Sequence, residues 1–235
     1  MSPKFRDRRF LNSHRIEIVM WALIVEMLIS PFADSHPRAG AVLGLIGLAT
    51  LLLAATTVRS TKIIRYTVGA AASLWIIARV LEAFGDSSRV YTQLAPVGGL
   101  LLSVSILVAI FEHFNSVPEV PRSAVGEAFI CYLIMSIAYS QLYWILNRFL
   151  DKSFNVPIPH NESGTLLYFS MMTISGVGYG GLLPINPYVR IIASLETMTG
   201  IFFVAVVVAR LVASYQPASR SQPEHPAKDA HLTKV

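Results

Sequence analysis

The sequence predicts an all-α, polytopic membrane fold. It holds six transmembrane helices plus a shorter helix that re-enters the bilayer and hands over to a glycine-rich loop. Three observations predict it. Of the 235 residues, 54% are hydrophobic and only 14% are charged, too apolar a mixture for an ordinary soluble domain. The charges gather between long apolar runs, and about 20 such residues cross a hydrocarbon core of about 30 Å. Between the last two runs, Ser163 to Met172 offers about three helical turns and leads into Thr173-Ile174-Ser175-Gly176-Val177-Gly178-Tyr179-Gly180-Gly181.

Taken in order, residues 1–15 are a basic start, with Lys4, Arg6, Arg8, Arg9 and Arg15 against Asp7. The first apolar run, Ile16 to Ser30, contains Glu17 and Glu26, and no small-residue cleavage site follows it. It therefore reads as a retained helix rather than a signal peptide. Gly40 to Val58 is an uncharged second span, closed by Arg59, Lys62 and Arg65. The third, Ile63 to Phe84, carries Arg79 and Glu82 near its far end, where a structural ion pair with each other or with Glu26 is expected. The fourth, Val90 to Phe111, has Pro96 and Gly98-Gly99 in its first turns, which predicts a kink. A polar linker with Pro118 and Pro121 follows, then a fifth span from Ala128 to Asn147. Phe149 to Glu162 is a loop with Pro157 and Pro159, and Asn161 or Ser163 can cap the short helix after it. Pro187 to Ala213 is the sixth span.

These segments divide the chain into a basic cytoplasmic N-terminus (1–15), a peripheral four-helix membrane domain (16–112), a cytoplasmic linker (113–123), a C-terminal membrane unit (124–215) and a disordered cytoplasmic tail (216–235). The basic clusters alternate sides along the chain, which places both termini in the cytoplasm and the glycine-rich loop on the outer side. The net charge of +5 is thus spent on membrane orientation, and no nucleic-acid partner is expected. Cys131 is the sole cysteine, so no intrachain disulfide can form. The six histidines lie scattered in loops and tails without metal-ligand spacing. Neither a phosphate-binding loop nor a Ser-His-Asp grouping occurs, so nothing supports an enzyme.

Val177-Gly178-Tyr179-Gly180 resembles the selectivity filter of tetrameric K⁺ channels. The resemblance extends from about Ala124 to Tyr215, which looks like outer helix, turret, pore helix, filter and inner helix. Tyr168-Phe169 match the aromatic pair of that family's pore helix, Pro184 and Pro187 follow the filter as they do there, and Gly200 stands where many members carry a hinge glycine. The resemblance implies a homotetramer that conducts K⁺ passively and selectively across the cytoplasmic membrane. Backbone carbonyls of Gly176, Val177, Gly178 and Tyr179 would coordinate the ion, and Thr173, Ser175, Gly180, Tyr168, Phe169 and Glu196 would support them. K⁺ is the permeant ion, membrane lipids are the surroundings, and neither a cofactor nor a soluble ligand domain in the chain is implied.

Two positions depart from the family. Gly176 replaces the filter threonine and Gly181 replaces the acid after the last filter glycine, so the innermost site lacks a hydroxyl ring and the outer mouth lacks a ring of charge. A weakly selective cation channel and a non-conducting scaffold with a pore fold therefore stay open beside the K⁺ channel. Glu196, about two turns into the sixth helix, is costly at that depth unless paired or wet. It reads as a brace behind the filter through Ser170, Thr173 or Ser175, or as a carboxylate reaching the interface. Gly200 reads equally as a gating hinge and as a close-packing site. No helix carries the repeated basic residues of a voltage sensor.

Overall fold

The apolar runs become helices, and their ends fall where proline, glycine or charge stops them. The computed structural model describes residues 14, 16–30, 37–57, 62–84, 91–116, 124–158 and 163–214. Within them lie seven helices: α1 (16–30), α2 (Pro37–Thr57), α3 (Lys62–Phe84), α4 (Tyr91–Ser116), α5 (Ala124–Phe149), α6 (Ser163–Ile174) and α7 (Pro187–Ser214). The basic start, the tail and the capping candidate Asn161 lie outside the described residues. α4 runs on to Ser116, into the stretch expected as linker, and ends just before Val117-Pro118, where the residue preceding proline disfavours the helical region. It also passes Pro96 without a break.

Three helices among the described residues are long and apolar enough to cross a membrane: Leu94–Glu112 within α4, Val125–Phe149 within α5 and Pro187–Arg210 within α7. The chain is thus a helical membrane protein. With 12 residues, α6 is about 18 Å long and reaches only part-way through a core of about 30 Å.

Packing runs in chain order. α4 lies between α3 and α5, and α5 also packs against α6 and α7. On α1 the buried positions Ile16, Val19 and Leu23 share one face while Ile18, Trp21, Val25 and Leu28 are exposed. That face joins Leu48 and Leu51 of α2, Trp75 of α3, Leu102 and Ile106 of α4 and Ile134 of α5 in one cluster. In lipid no water is expelled by such contacts, so close fit has to hold the helices together, and small residues serve it. Ala71, Ala72 and Ala109 fill the seams, and a side chain at Gly98 would meet the Trp75 backbone. Glu26 lies beside Gly47, and its Oε2 is buried with no partner among the described residues. The side chains of Arg79 and Glu82, with the ion pair expected of them, lie outside those residues.

A second cluster joins the C-terminal half of α5, the loop after it, α6 and the start of α7. Tyr143, Phe154, Ile158, Leu166, Phe169, Val189 and Ala193 are its buried members. This cluster positions the glycine-rich loop.

Candidate functional site

α6 is closed by a glycine-dependent cap. Gly176 has φ +72°, the left-handed region where a side chain is strained and glycine is not. Its N–H donates to Thr173 O at 3.0 Å, and the Val177 N–H donates to Met172 O at 3.1 Å. Those two bonds, with a left-handed glycine between them, form a Schellman motif that satisfies carbonyls orphaned at a helix end. The residue that departs from the filter threonine therefore has a local cause: it ends the helix.

Beyond the cap, the sign of φ alternates. Gly178 is at +57° and Gly180 at +77°, whereas Val177 and Tyr179 keep negative φ. Alternation of this kind sends N–H groups to one side of the strand and carbonyls to the other. The N–H groups of Val177 and Gly178 both turn back onto Met172 O. The carbonyls of Gly176, Val177, Gly178, Tyr179 and Gly180 accept no hydrogen bond from the described residues. Residues 175–181 are all exposed in the single chain.

Behind α6 lies a buried polar network. Glu196, on α7, is 0% exposed. The Tyr143 hydroxyl on α5 donates to Glu196 Oε2 at 2.6 Å, and the Ser170 hydroxyl on α6 donates to Glu196 Oε1 at 2.5 Å. Ser170 Oγ also lies 2.8 Å from Ser136 O, and Ser136 Oγ donates to it at 3.3 Å. One carboxyl group thereby ties together three helices, and among the described residues no basic group pairs with it. Of the three partners expected for Glu196, only Ser170 is used. Thr173 Oγ1 donates to Phe169 O at 2.7 Å within α6, and Ser175 Oγ, in the turn just after it, donates back to Met171 O at 2.7 Å. Thr173 is joined to α7 by its carbonyl instead, which accepts from Thr197 Oγ1 at 3.0 Å.

The aromatic pair divides its work. Phe169 is buried and stacks edge-on against Tyr143 and Phe154, at 5.0 and 5.2 Å between ring centroids. Tyr168 is half exposed and lines, with Tyr179, Met172, Thr173 and Thr197, a cleft of about 300 Å³ between α6, the glycine loop and α7. Gly200 faces the end of α6. A Cβ there would collide with Ile174 O and lie 2.8 Å from Ile174 Cγ1, so the missing side chain is what lets α7 approach the last turn before the loop.

The segment leaving the loop is strapped by the chain that follows α5. Lys152, at φ +49°, reverses the chain after α5. Residues 153–155 then run antiparallel to the segment leaving the glycine loop, through a bridge between Phe154 and Pro184. The Ile185 N–H donates to Ser153 O at 3.0 Å and the Asn155 N–H to Leu183 O at 2.9 Å. Tyr143, Ser136, Thr197, Phe154 and Asn155 escaped the sequence reading. A signal for part of this was present: Ser136, Tyr139, Ser140 and Tyr143 form a polar stripe at helical spacing in an apolar span, and such stripes turn inward in membranes. Nothing comparable marked Asn155.

Residues 127–216 match a family model described as an ion channel. The match supports an ion channel of the K⁺ channel type over the span that holds α5, α6, the glycine loop and α7, and it points to ion transport rather than to an enzyme. Neither the curated proteins nor the solved structures contain a match to the chain.

Proposed function

We propose that the chain is one quarter of a homotetrameric channel for passive, selective conduction of K⁺, lying in the cytoplasmic membrane with both termini on the cytoplasmic side. Residues 16–112 are its peripheral domain and residues 124–215 its pore domain. The carrying observation is the free carbonyl row. The N–H groups of Gly176, Val177 and Gly178 turn onto the end of α6, and the carbonyls of segment 176–180 have no donor among the described residues. Four such rows around an axis make rings of oxygens that replace an ion's hydration shell. One row per chain requires a closed ring of chains. The exposure of α7 supports this, since within one chain only 17% of its span is buried, against 50% for α4 and α5.

In this reading α6 enters the bilayer from outside as a re-entrant helix, and its carbonyl end favours a cation at the inner end of the filter. Gly176, Val177, Gly178 and Tyr179 hold K⁺ as the transported ion. Gly180 allows the last turn. Thr173 and Glu196 anchor the helix from behind, Phe169 fixes its depth, and Gly200 is the hinge point about which α7 can pivot. Purified protein in planar bilayers tests the proposal by its reversal potential in mixed K⁺ and Na⁺. A potential near the K⁺ equilibrium value is expected. A value near zero gives the weakly selective cation channel that Gly176 and Gly181 favour, and absent current from assembled protein overturns conduction.

A further inference from the structure

We infer that Asn155 is a positioning residue for the outer end of the pore, its side-chain amide fixing the Gly181–Leu183 segment that leaves the filter. The inference rests on the channel reading above for its consequence, but its geometry stands apart. Asn155 Oδ1 accepts the Leu183 N–H at 2.7 Å, Asn155 Nδ2 donates to Gly181 O at 3.4 Å, and the Asn155 N–H donates to Leu183 O at 2.9 Å. A single residue thus satisfies both backbone groups of Leu183 and reaches the residue next to Gly180. Gly181 cannot hold itself: it has no side chain, and nothing lies within 4 Å of where one would start.

The strap that carries Asn155 is itself fixed. Ser153 is buried, and its hydroxyl donates to Leu150 O at 3.2 Å. Phe154 is 4% exposed and stacks on Tyr143 and Phe169. The amide is therefore presented from a surface keyed to α5 and α6. Because Gly180 (φ +77°) is one peptide from Gly181, the orientation of the last filter carbonyl is referenced to that surface. A neutral amide holds the mouth in place without adding charge to it.

The test uses the full-length protein in detergent and in liposomes. Asn155→Ala removes both side-chain bonds but leaves the Asn155 N–H to Leu183 O pair. Amide exchange at Leu183 should then quicken by about tenfold, the factor for one lost hydrogen bond of ordinary strength. In bilayers the K⁺ over Na⁺ permeability ratio should fall, and current should fade when external K⁺ is lowered and return when it is raised. Bound ions stabilise the conformation that binds them, so a mouth without its clamp depends on occupancy. A merely structural residue would not give that ion dependence. Asn155→Asp keeps the acceptor for Leu183 but sets a carboxylate oxygen against Gly181 O. It should preserve slow exchange at Leu183 and still lower the permeability ratio. Unchanged exchange in assembled Asn155→Ala overturns the inference, as does an unchanged permeability ratio in both variants. If Asn155→Ala fails to assemble, Asn155→Asp decides by its permeability ratio. Quickened exchange in a protein that carries no current leaves the clamp standing and removes the channel.

Discussion

A side chain at Gly176 gives the sharpest separation of causes. On the sequence alone, threonine there restores a hydroxyl to the innermost ion site and should tighten K⁺ binding. The backbone reverses the expected sign. With φ at +72°, an L-residue at this position costs about 1–2 kcal/mol per chain, and so about 4–8 kcal/mol across the proposed ring of four. Nothing in the chain itself lies within 4 Å of the new Cβ, so within one chain the cost is conformational rather than steric. A D-residue favours positive φ, and it also restricts the unfolded chain, which is worth about 0.4–1 kcal/mol in its favour. Gly176→L-Ala and Gly176→D-Ala, the latter installed by chemical ligation, thus differ only in handedness. The L-form should lower the thermal unfolding midpoint and disturb the reversal potential, and the D-form should match or exceed the wild type in stability. Gly176→Thr should behave as the L-form, made worse by β-branching, and should fail to raise the K⁺ over Na⁺ ratio. Equal behaviour of the L- and D-forms would refute the reasoning, because the cap would then have no handed requirement.

Gly200→Ala should destabilise the protein although alanine is the better helix former by about 1 kcal/mol. The collision with Ile174 O is with backbone, and overpacking costs about 1–3 kcal/mol; a raised midpoint in thermal unfolding would contradict this. Lys152→Gly should raise the midpoint slightly, by up to about 1 kcal/mol in stability, since it relieves φ +49° at the cost of a looser unfolded chain. Glu196→Leu should cost about 1–3 kcal/mol by stranding the Tyr143 hydroxyl, whereas the Ser170 hydroxyl keeps Ser136 O as an acceptor. Glu196→Gln, which offers a donor and an acceptor at the same places, should recover most of that loss in the same unfolding measurement.

Much of the architecture was legible because it is written in runs. Apolar stretches closed by Arg59 or Pro118, or opened by Pro187, mark helix positions directly, and the glycine spacing at 176, 178 and 180 marks the loop. The buried fate of Glu196 was also legible, since an acid at that depth has few affordable surroundings. Its partners were not. Helical phase decides that Ser170 faces Glu196 while Thr173 and Ser175 bond back to carbonyls of α6, and a shift of one residue would have changed the outcome. The capping role of Gly176 was hidden because the family comparison invites the question of what threonine would contribute to an ion. The question the structure answers is what ends the helix. Asn155 was the least visible, for its role depends on a reversal at Lys152, a residue type that does not advertise positive φ.

The close approach at Gly200 makes α7 a lever. About 20 Å of helix lies on either side of it, between Pro187 and Ser214. The contact with Ile174 O is the point least free to translate, so a rigid tilt of α7 swings its two ends in opposite directions. A tilt of 10° moves each end by about 3.5 Å at that arm length. The outer end is not loose, for Asn186 and Ile185 are bonded to Ser153 in the strap. In the proposed tetramer, splaying the inner ends of four such levers would load the strap and, through it, the backbone at Gly180 and Gly181. In mechanical terms the two mouths of the proposed pore would sit on one beam.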